Sequence, residues 1–353
     1  QSRSSAASDV YKRQQQRTVS WQLPALQLSD MNHHSLESLI RDVGERLHGP
    51  HQPRWAGAII DPLVRDPLDD GLVAELGATK LRINVPLRDK TPSRLPYLLL
   101  LEATSDGVAL LHATCLEAME EQRNPDSEAE HGFAIGPWIG FNSEPDEIAR
   151  HWATICAIRV AGQGRRYLRL ADRRVLKWLW RRLDAAQQAF IAGPMTQILV
   201  LGRDSSVAEL RVSMTPQRER TGLLWKFDGS MLDECEAVQS MLRGWRRFAP
   251  TVPANYLDLA EFALSEAQAA GAQSLHDRVL LGAYALQVDD HVLRSPDLRR
   301  LVATSQAQAT NLALALAAIP DSRWDAMALS VRQGGSGARH LEATQGERIH
   351  GFR

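Results

Sequence analysis

One stretch of the chain, QGRRYLRLADRRVLKWLWRRLD at residues 163–184, most constrains the fold, because it predicts a strand followed at once by a helix. The strand is predicted from the glycines that interrupt structure before it and from three residues that suit a strand, Tyr167, Leu168 and Leu170. Asp172 then occupies the expected N-cap position, because its carboxylate can accept hydrogen bonds from the first amides of a helix.

The predicted helix has two different faces. One face is apolar, with residues spaced at i, i+3, i+4 and i+7: Leu176, Leu179, Trp180 and Leu183. The other face is cationic and carries Arg174, Lys177 and Arg181. The pattern therefore predicts one side packed on a core and one side of positive charge.

The start of this helix breaks a local rule. Arg173 and Arg174 fall in the first turn, where the helix dipole disfavours positive charge by roughly 0.3–1 kcal/mol each. One interpretation is a solvated basic face, partly neutralised by Asp172 and Asp184. The other is a binding surface, since misfits of this kind are common at functional sites.

Tryptophan lies beside the cationic residues, and Trp and Arg are enriched among the residues that dominate binding energy at interfaces. The binding interpretation predicts a surface formed by Arg169, Arg173, Arg174, Lys177, Trp178 and Arg181. The alternative places Trp180 in the core and Trp178 on a surface covered by cations. Both interpretations stay open.

Composition limits the class of protein. The chain has 353 residues, which is enough for two domains. Hydrophobic residues make up 44% and charged residues 24%, values typical of a globular protein, and the formal net charge is −1. Bulk attraction to nucleic acid or to an anionic membrane is therefore not implied. No apolar run reaches the roughly 20 residues that a membrane span needs.

The three cysteines, Cys115, Cys156 and Cys235, are far apart and lie in apolar patterns. No pair has metal-ligand spacing. Buried free thiols are expected, which favours the cytoplasm as the compartment.

The order of elements predicts a mixed α/β domain of short strands alternating with helices, followed by a smaller all-α lobe. Residues 1–14 include SSAASDVYKRQ, which resembles a translated sequencing adapter and is excluded from fold reasoning. Within the α/β domain, the polar run 122–131 predicts a loop. The predicted organisation is as follows: a tail at 15–34, the α/β domain at 35–212, a connector at 213–252, the helical lobe at 253–330 and a disordered tail at 331–353.

No motif supports catalysis. The histidines at 33, 34, 48 and 51 lack a completing Cys or carboxylate at ligand spacing. The Asp289-Asp290-His291 run is expected to be a solvated helix end. Gly334-Gly335-Ser336-Gly337 lacks the lysine of a phosphate-binding loop. The expectation is a protein that is not an enzyme and needs no metal or cofactor.

The order of motifs resembles the type VI secretion effector adaptors, also called effector chaperones. The residues that carry this resemblance are WAGAIIDP at 55–62, which contains Asp61, the Pro96–Leu101 strand, the strand and helix at 138–158, RLADRRVL at 169–176 and the Gly193-Pro194 turn. Arg173 stands where the family pattern has proline. The resemblance covers about residues 55–212.

The resemblance implies a cytoplasmic adaptor that binds a secreted effector protein and helps load it onto the valine-glycine-repeat (VgrG) spike. It implies neither nucleic acid nor membrane as a partner. The alternative from another class is a nucleic-acid-binding regulator that uses the basic helix 173–183. A third interpretation is a hydrolase with a dispersed site.

Overall fold

The structure is a computed structural model. It describes residues 26–346 except positions 50–52, 63, 69, 87–93, 161–163, 212–225, 228, 248, 250 and 309. The segment 1–14, predicted to be an adapter translation, lies outside the described residues. The chain divides into an α/β unit, residues 23–236, and a helical unit whose described part runs from residue 237 to residue 346.

Helices and strands succeed one another through the α/β unit. Their order is α1 Leu26–His48, β1 Trp55–Ile60, α2 Asp70–Glu75, β2 Lys80–Arg82, β3 Tyr97–Leu100, α3 Ser105–Arg123, α4 Pro125–His131, β4 Ile135–Phe141, α5 Pro145–Ile155, β5 Ala157–Val160, β6 Gly164–Tyr167, α6 Arg173–Trp180, α7 Ala185–Ala192, β7 Met195–Leu201, β8 Val207–Glu209 and β9 Lys226–Phe227.

The rest of the described chain is helical. It contains α8 Gly229–Arg246, α9 Tyr256–Ala269, α10 Leu275–Val288, a 3₁₀ turn at Val292–Arg294, α11 Pro296–Ala307, α12 Leu312–Ala317 and α13 Asp321–Gly346. A mixed α/β fold followed by a helical part is therefore confirmed. Helix α11 opens on Pro296, with Ser295 at its N-cap position and Asp297 in its first turn, a sequence typical of a helix start.

Three expected boundaries differ from the structure. Helix α1 begins at Leu26, inside the predicted tail 15–34, and α8 fills much of the predicted connector 213–252. Helix α13 continues to Gly346, into the segment 331–353 that is predicted to be disordered. Glycine lowers helix propensity by about 1 kcal/mol per residue, which favours disorder, but the segment around Ala338 and Leu341 contains good helix formers.

The main sheet has six strands in the order β2-β3-β1-β4-β7-β8, and every neighbouring pair is antiparallel. Along this sheet Ala58 pairs with Leu99 and with Trp138, and Trp138 pairs with Leu199. Paired residues share a face, so these four form one apolar row. Buried residues of helices α1 and α3, among them Val43, belong to the same core cluster, so both helices pack on this face.

Trp138 shows how this core accommodates a polar atom. The side chain is fully buried, and its indole Nε1 donates to Thr114 Oγ1 of α3 at 3.0 Å. The Thr114 hydroxyl in turn donates to the Leu111 carbonyl at 2.9 Å. Because a buried indole N–H needs a partner, this contact ties α3 to the centre of the sheet.

A second, three-stranded sheet has the order β6-β5-β9. Strands β5 and β6 are antiparallel, whereas β5 and β9 are parallel. Strand β6 ends at Tyr167, three residues earlier than the predicted strand, which included Leu168 and Leu170. The chain turns instead, because the Leu170 amide bonds the Leu168 carbonyl and the Asp172 amide bonds the Arg169 carbonyl.

Candidate functional site

Helix α6 begins as its sequence predicts. Asp172 is the N-cap, and its Oδ1 accepts a hydrogen bond from the Arg174 amide at 3.1 Å. The predicted apolar face is buried at Leu176 and Leu179, and Trp180 and Leu183 are less than a tenth exposed. The helix is therefore held by a cap at one end and by core packing along one side.

Arg173 lies inside the protein. The residue is 1% exposed, and its guanidinium forms an ion pair with Glu121 of α3. It also donates to the Ile135 carbonyl at 2.8 Å and to the Ala118 carbonyl at 2.6 Å. The prediction that Arg173 contacts a partner is therefore wrong, because the side chain is engaged in internal hydrogen bonds.

Glu121 joins this arginine to the start of β4. Its Oε1 accepts hydrogen bonds from the Ala134 amide at 2.6 Å and from the Ile135 amide at 3.0 Å. One carboxylate thus binds two backbone amides and one guanidinium. The end of α3, the first residues of β4 and the start of α6 are fixed together by this one group.

Arg174 extends the cluster in a second direction. Its Nε donates to Asp172 Oδ1 at 2.9 Å, and its Nη1 donates to Glu128 Oε1 of α4 at 2.5 Å. Glu128 also accepts two hydrogen bonds, of 2.8 Å and 2.5 Å, from Arg203, which lies in the turn after β7. Paired bonds of this kind between Arg and a carboxylate restrict both groups strongly. Like Arg173, Arg174 is therefore paired with carboxylates inside the protein.

Phe133 lies at the centre of these arginines. Its ring is nearly fully buried, and the guanidinium carbons of Arg173 and Arg174 lie 4.1 Å and 4.3 Å from its centroid. The Arg203 guanidinium lies 5.7 Å away. A ring face attracts cations, so Phe133 helps to hold three positive groups close together.

Asp61 and Arg169 form the third part of the cluster. Asp61 follows β1 and is fully buried; its Oδ2 accepts from Tyr167 Oη at 2.8 Å and from Arg169 Nε at 2.9 Å. Arg169 Nη1 lies 3.8 Å from Asp172 Oδ2. Two residues of the resemblance, Asp61 and Asp172, are therefore linked through Arg169. We call the following eight residues the arginine network: Asp61, Glu121, Glu128, Arg169, Asp172, Arg173, Arg174 and Arg203.

The arginines of the network favour the ionised states of Asp172 and Glu128. Burial by itself raises the pKa of Asp172, but Arg174 and Arg169 outweigh it and lower that pKa to about 2. Burial likewise opposes ionisation of Glu128, and Arg203 and Arg174 lower its pKa overall. Carboxylates that stay ionised in this way are poorly matched to proton transfer near neutral pH. The arrangement is suited to holding backbone segments in place.

The other predicted surface residues divide between interior and exterior. Trp178 is fully buried, so the prediction that it contacts a partner is wrong; the apolar side of α6 is wide enough to include it. Lys177 is partly buried, with its Nζ 3.8 Å from Asp204. Arg181 is exposed, and so is its neighbour Arg182, which pairs with Glu234 at 2.8 Å.

The Gly193-Pro194 turn follows α7 and leads into β7. Gly193 has φ +50°, a conformation that disfavours residues with a side chain. A Cβ at this position would lie 2.3 Å from the His151 ring. His151 Nε2 contacts the Ile191 carbonyl at 2.8 Å, so the ring caps the end of α7. Glycine is required here by both the backbone and the packed ring.

Sequence reasoning missed four members of this site: Glu121, Glu128, Phe133 and Arg203. The polar run 122–131 predicts a loop around Glu128, whereas the structure has helix α4 there, so that prediction is wrong. Asn124 caps α4, with Pro125 and Asp126 in its first turn. The run Asn-Pro-Asp is a recognised helix start and was the available signal.

Potential metal ligands are scattered in the part of the chain that the structure describes: it holds no group of three His, Cys, Asp or Glu residues that could bind a metal. Asp289 accepts from the His291 amide at 2.9 Å and pairs with Arg332 at 2.6 Å. The three cysteines are buried and free, as predicted. Among the described helices, none has both the length and the apolar character to cross a membrane.

One family comparison gives a match. Residues 84–189 match the model of a family described as Domain of unknown function (DUF4123). The matched segment includes α3, α4, β4 and α6, and thus Glu121, Glu128 and the residues 169–174, whereas Asp61 and Arg203 lie outside it. No curated protein and no solved structure shows a significant match to the chain.

Proposed function

We propose that this chain is a non-enzymatic adaptor that binds a type VI secretion effector and helps load it onto the VgrG spike. The observation that carries the proposal is the family match at residues 84–189, because the DUF4123 family is associated with type VI secretion effector adaptors. The matched segment contains the run 169–176, the part of the chain whose resemblance to those adaptors is most specific.

The arginine network supports a binding role over a catalytic one. Its carboxylates are engaged by guanidinium groups or backbone amides, and the pKa values of Asp172 and Glu128 are lowered. Such a network fixes the segments that surround α6, so a partner would meet a preformed surface. A preformed surface binds with less loss of conformational entropy than a flexible one.

Fewer of the residues predicted to contact a partner are exposed than the sequence indicated. Arg181 is the exposed member of the predicted set, and Lys177 and Arg169 are partly exposed. The proposal therefore assigns the first contact with the effector to Arg181, at the end of α6. A nucleic-acid regulator that uses helix 173–183 loses support, because Arg173 and Arg174 are paired with internal acids.

Co-expression with the effector encoded beside this gene tests the proposal. An adaptor acts by mass action, so the soluble effector should rise with the amount of this chain and level off near equal molar amounts. The two proteins should also elute together on size exclusion. Full effector solubility at a large molar deficit of this chain, with no shared elution, would contradict the adaptor function.

A matched pair of variants locates the contact. Arg181→Glu should weaken effector binding, mainly through slower association, because exposed charges at an interface steer the encounter. Arg82→Glu makes the same change of charge at an exposed position of β2 and should leave binding unchanged. If both variants bind the effector with equal affinity at low salt, Arg181 does not contact the effector.

A further inference from the structure

Helix α3 has an exposed apolar ridge on its outer side. Val108 and Leu116 are 55% and 37% exposed. The exposed His112 lies midway between them in the sequence, so the three residues form one i, i+4, i+8 row, about 12 Å long. Single exposed hydrophobic residues are common on protein surfaces, whereas hydrophobic residues that share one side of a helix point to a contact.

A groove of small residues runs beside this ridge. The next row of the same helix, again spaced by four residues, consists of Ser105, Ala109 and Ala113. Ser105 is exposed, and the two alanines are half-buried. Helices pack by placing the ridge of one into the groove of another, so this side of α3 has both elements that a second helix needs. We call the following six residues the α3 face: Ser105, Val108, Ala109, His112, Ala113 and Leu116.

Folding alone does not account for the α3 face. The opposite side of the helix supplies its buried contribution to the core: Leu110, Leu111, Cys115 and Ala118. Valine and histidine are less favourable in a helix than alanine or glutamate, and a valine that stays half exposed gains little from burial. Val108 and His112 therefore do little for the helix or for the core.

The charges around the α3 face have an excess of acid. The acids toward the end of the helix are paired with arginines: Glu117 with Arg65 and Glu120 with Arg123. Glu102 and Asp106 are exposed, and no cation of the described chain forms an ion pair with either of them. The Glu102 carbonyl lies against Gly107, so both acids are at the Val108 end of the face.

We propose that the α3 face binds a cationic amphipathic helix of a protein partner. The ridge and the groove accept apolar residues of the partner at helical spacing, such as i, i+4 and i+7. Lysine or arginine residues beside them pair with Glu102 and Asp106, and complementary charges of this kind fix the orientation of the bound helix. The inference rests on the sequence and burial of α3 and does not require the adaptor function.

The same charges disfavour two other occupants of an apolar helix face. Helices that lie on a membrane surface carry lysine and arginine on their polar side and are attracted to anionic lipids, whereas Glu102 and Asp106 would be repelled by them. A second copy of this chain would bring the same excess of acid to the contact. A cationic partner helix is therefore the occupant that both the apolar ridge and the charges fit.

Fluorescence anisotropy with labelled peptides tests the α3 face in the full-length chain. The probe is a fluorescein-labelled helical peptide of about 18 residues, with leucine at i, i+3, i+4 and i+7 on one face and lysine elsewhere. A peptide with glutamate in place of every lysine keeps the leucine pattern and is the comparison. We expect the leucine–lysine peptide to bind at least about tenfold more tightly. Raising the salt concentration should narrow this difference, because exposed charge pairs are screened.

Removing the ridge should weaken the binding. Val108→Ser with Leu116→Ser should reduce the affinity for the leucine–lysine peptide at least about tenfold, because two apolar contacts are lost. The melting temperature should change little, since both side chains are exposed. Leu314→Ser with Leu329→Ser is the matched control: it removes side chains that are 58% and 55% exposed in the helical unit and should leave the binding unchanged.

Removing the two unpaired acids separates the contribution of charge from that of the apolar contact. Glu102→Gln with Asp106→Asn should weaken binding of the leucine–lysine peptide about threefold, because two exposed charge pairs are lost. The same variant should bind the leucine–glutamate peptide more tightly, since the repulsion is relieved. If both peptides respond in the same direction, charge complementarity does not select the occupant and the proposal is overturned.

Four further results would overturn the proposal. The first is no binding of the leucine–lysine peptide at about 1 mM, the weak end of specific recognition. The second is an equal loss in the Leu314 and Leu329 control, which would mean general apolar adhesion. The third is tighter binding to phosphatidylglycerol vesicles that is lost in the Val108 and Leu116 variant, which would assign the face to a membrane. The fourth is a dimer, measured by sedimentation equilibrium, that the same variant dissociates. If that double variant misfolds, Val108→Ser alone decides: unchanged peptide binding in it also overturns the proposal.

Discussion

The α/β unit and the helical unit use arginine in different ways. In the α/β unit, Arg173 and Arg203 are at most 5% exposed and pair with buried glutamates. In the helical unit, the arginines of the ion pairs Arg294–Glu266, Arg323–Asp297 and Arg332–Asp289 are 46%, 57% and 66% exposed. The α/β unit thus has interior arginines that join backbone segments, besides exposed ones such as Arg65 in its pair with Glu117, whereas the arginines of these three pairs in the helical unit lie on the surface.

The difference follows from what each unit must hold together. In the α/β unit, the ends of α3, α4, β4 and α6 lie close together in the interior. Their charged side chains are buried there, and an unpaired buried charge is strongly unfavourable. The helical unit satisfies its backbone within each helix, and its described core is largely Ala and Leu. The arginines of its ion pairs can therefore stay in water, where a pair contributes little to stability.

Removing Arg173 should have the largest effect. Arg173→Met leaves Glu121 buried beside two amides without its cation, and breaking a buried pair in this way typically reduces the free energy of unfolding by about 3–5 kcal/mol. Faster hydrogen exchange of the β4 amides would measure the loss within the α/β unit. Exchange in β4 as slow as in the unchanged protein would show that the pair does not hold this region.

Leu176→Ala should come next. The side chain is fully buried, so its truncation should reduce the free energy of unfolding by about 2–5 kcal/mol. Leu314→Ala in the helical unit is the control, because Leu314 is 58% exposed and surface changes usually stay within about 0.5 kcal/mol. Denaturant unfolding of both variants makes the comparison. A small effect at Leu176 would mean that α6 does not depend on its apolar side.

Acid should weaken the network through Asp172. Its pKa is lowered to about 2 from the usual 3.8, so its contribution to stability is present above the usual pKa and is lost as the pH falls through 2. The contribution is about 2 kcal/mol at neutral pH. Asp172→Asn should lose this amount at pH 7, and its unfolding free energy should change less steeply between pH 4 and pH 2. If the unfolding free energy of Asp172→Asn depended on pH in the same way as that of the unchanged protein, the low pKa would not belong to Asp172.

The smallest effect is expected in the helical unit. Arg294→Met removes an ion pair with Glu266 in which Arg294 is 46% exposed, and pairs of this kind contribute about 0–1 kcal/mol. Thermal unfolding of Arg294→Met and Arg173→Met side by side measures the contrast directly. A loss in Arg294→Met as large as that in Arg173→Met would remove the distinction between the two units.

Local signals in the sequence were reliable where the interaction is local. The Asp172 cap, the buried Leu176 and Leu179 and the Gly193 turn are all confirmed, since each depends on residues within about one helical turn or on a backbone angle. The prediction of a strand through Leu170 was wrong because the chain turns after Tyr167. The loop predicted at 122–131 was wrong because the run that begins at Asn124 starts a helix.

The sequence by itself determined the cap, the periodicity and the apolar side of α6, because these depend on neighbours three or four residues apart. Only the tertiary structure decided that Arg173 and Trp178 are interior. Arg173 meets Glu121 across 52 residues, and Arg203 meets Glu128 across 75. A helical pattern states that a residue lies on a given side of its helix, but the partner on that side comes from elsewhere in the chain. A cationic side therefore looks the same in sequence whether it meets water or buried carboxylates.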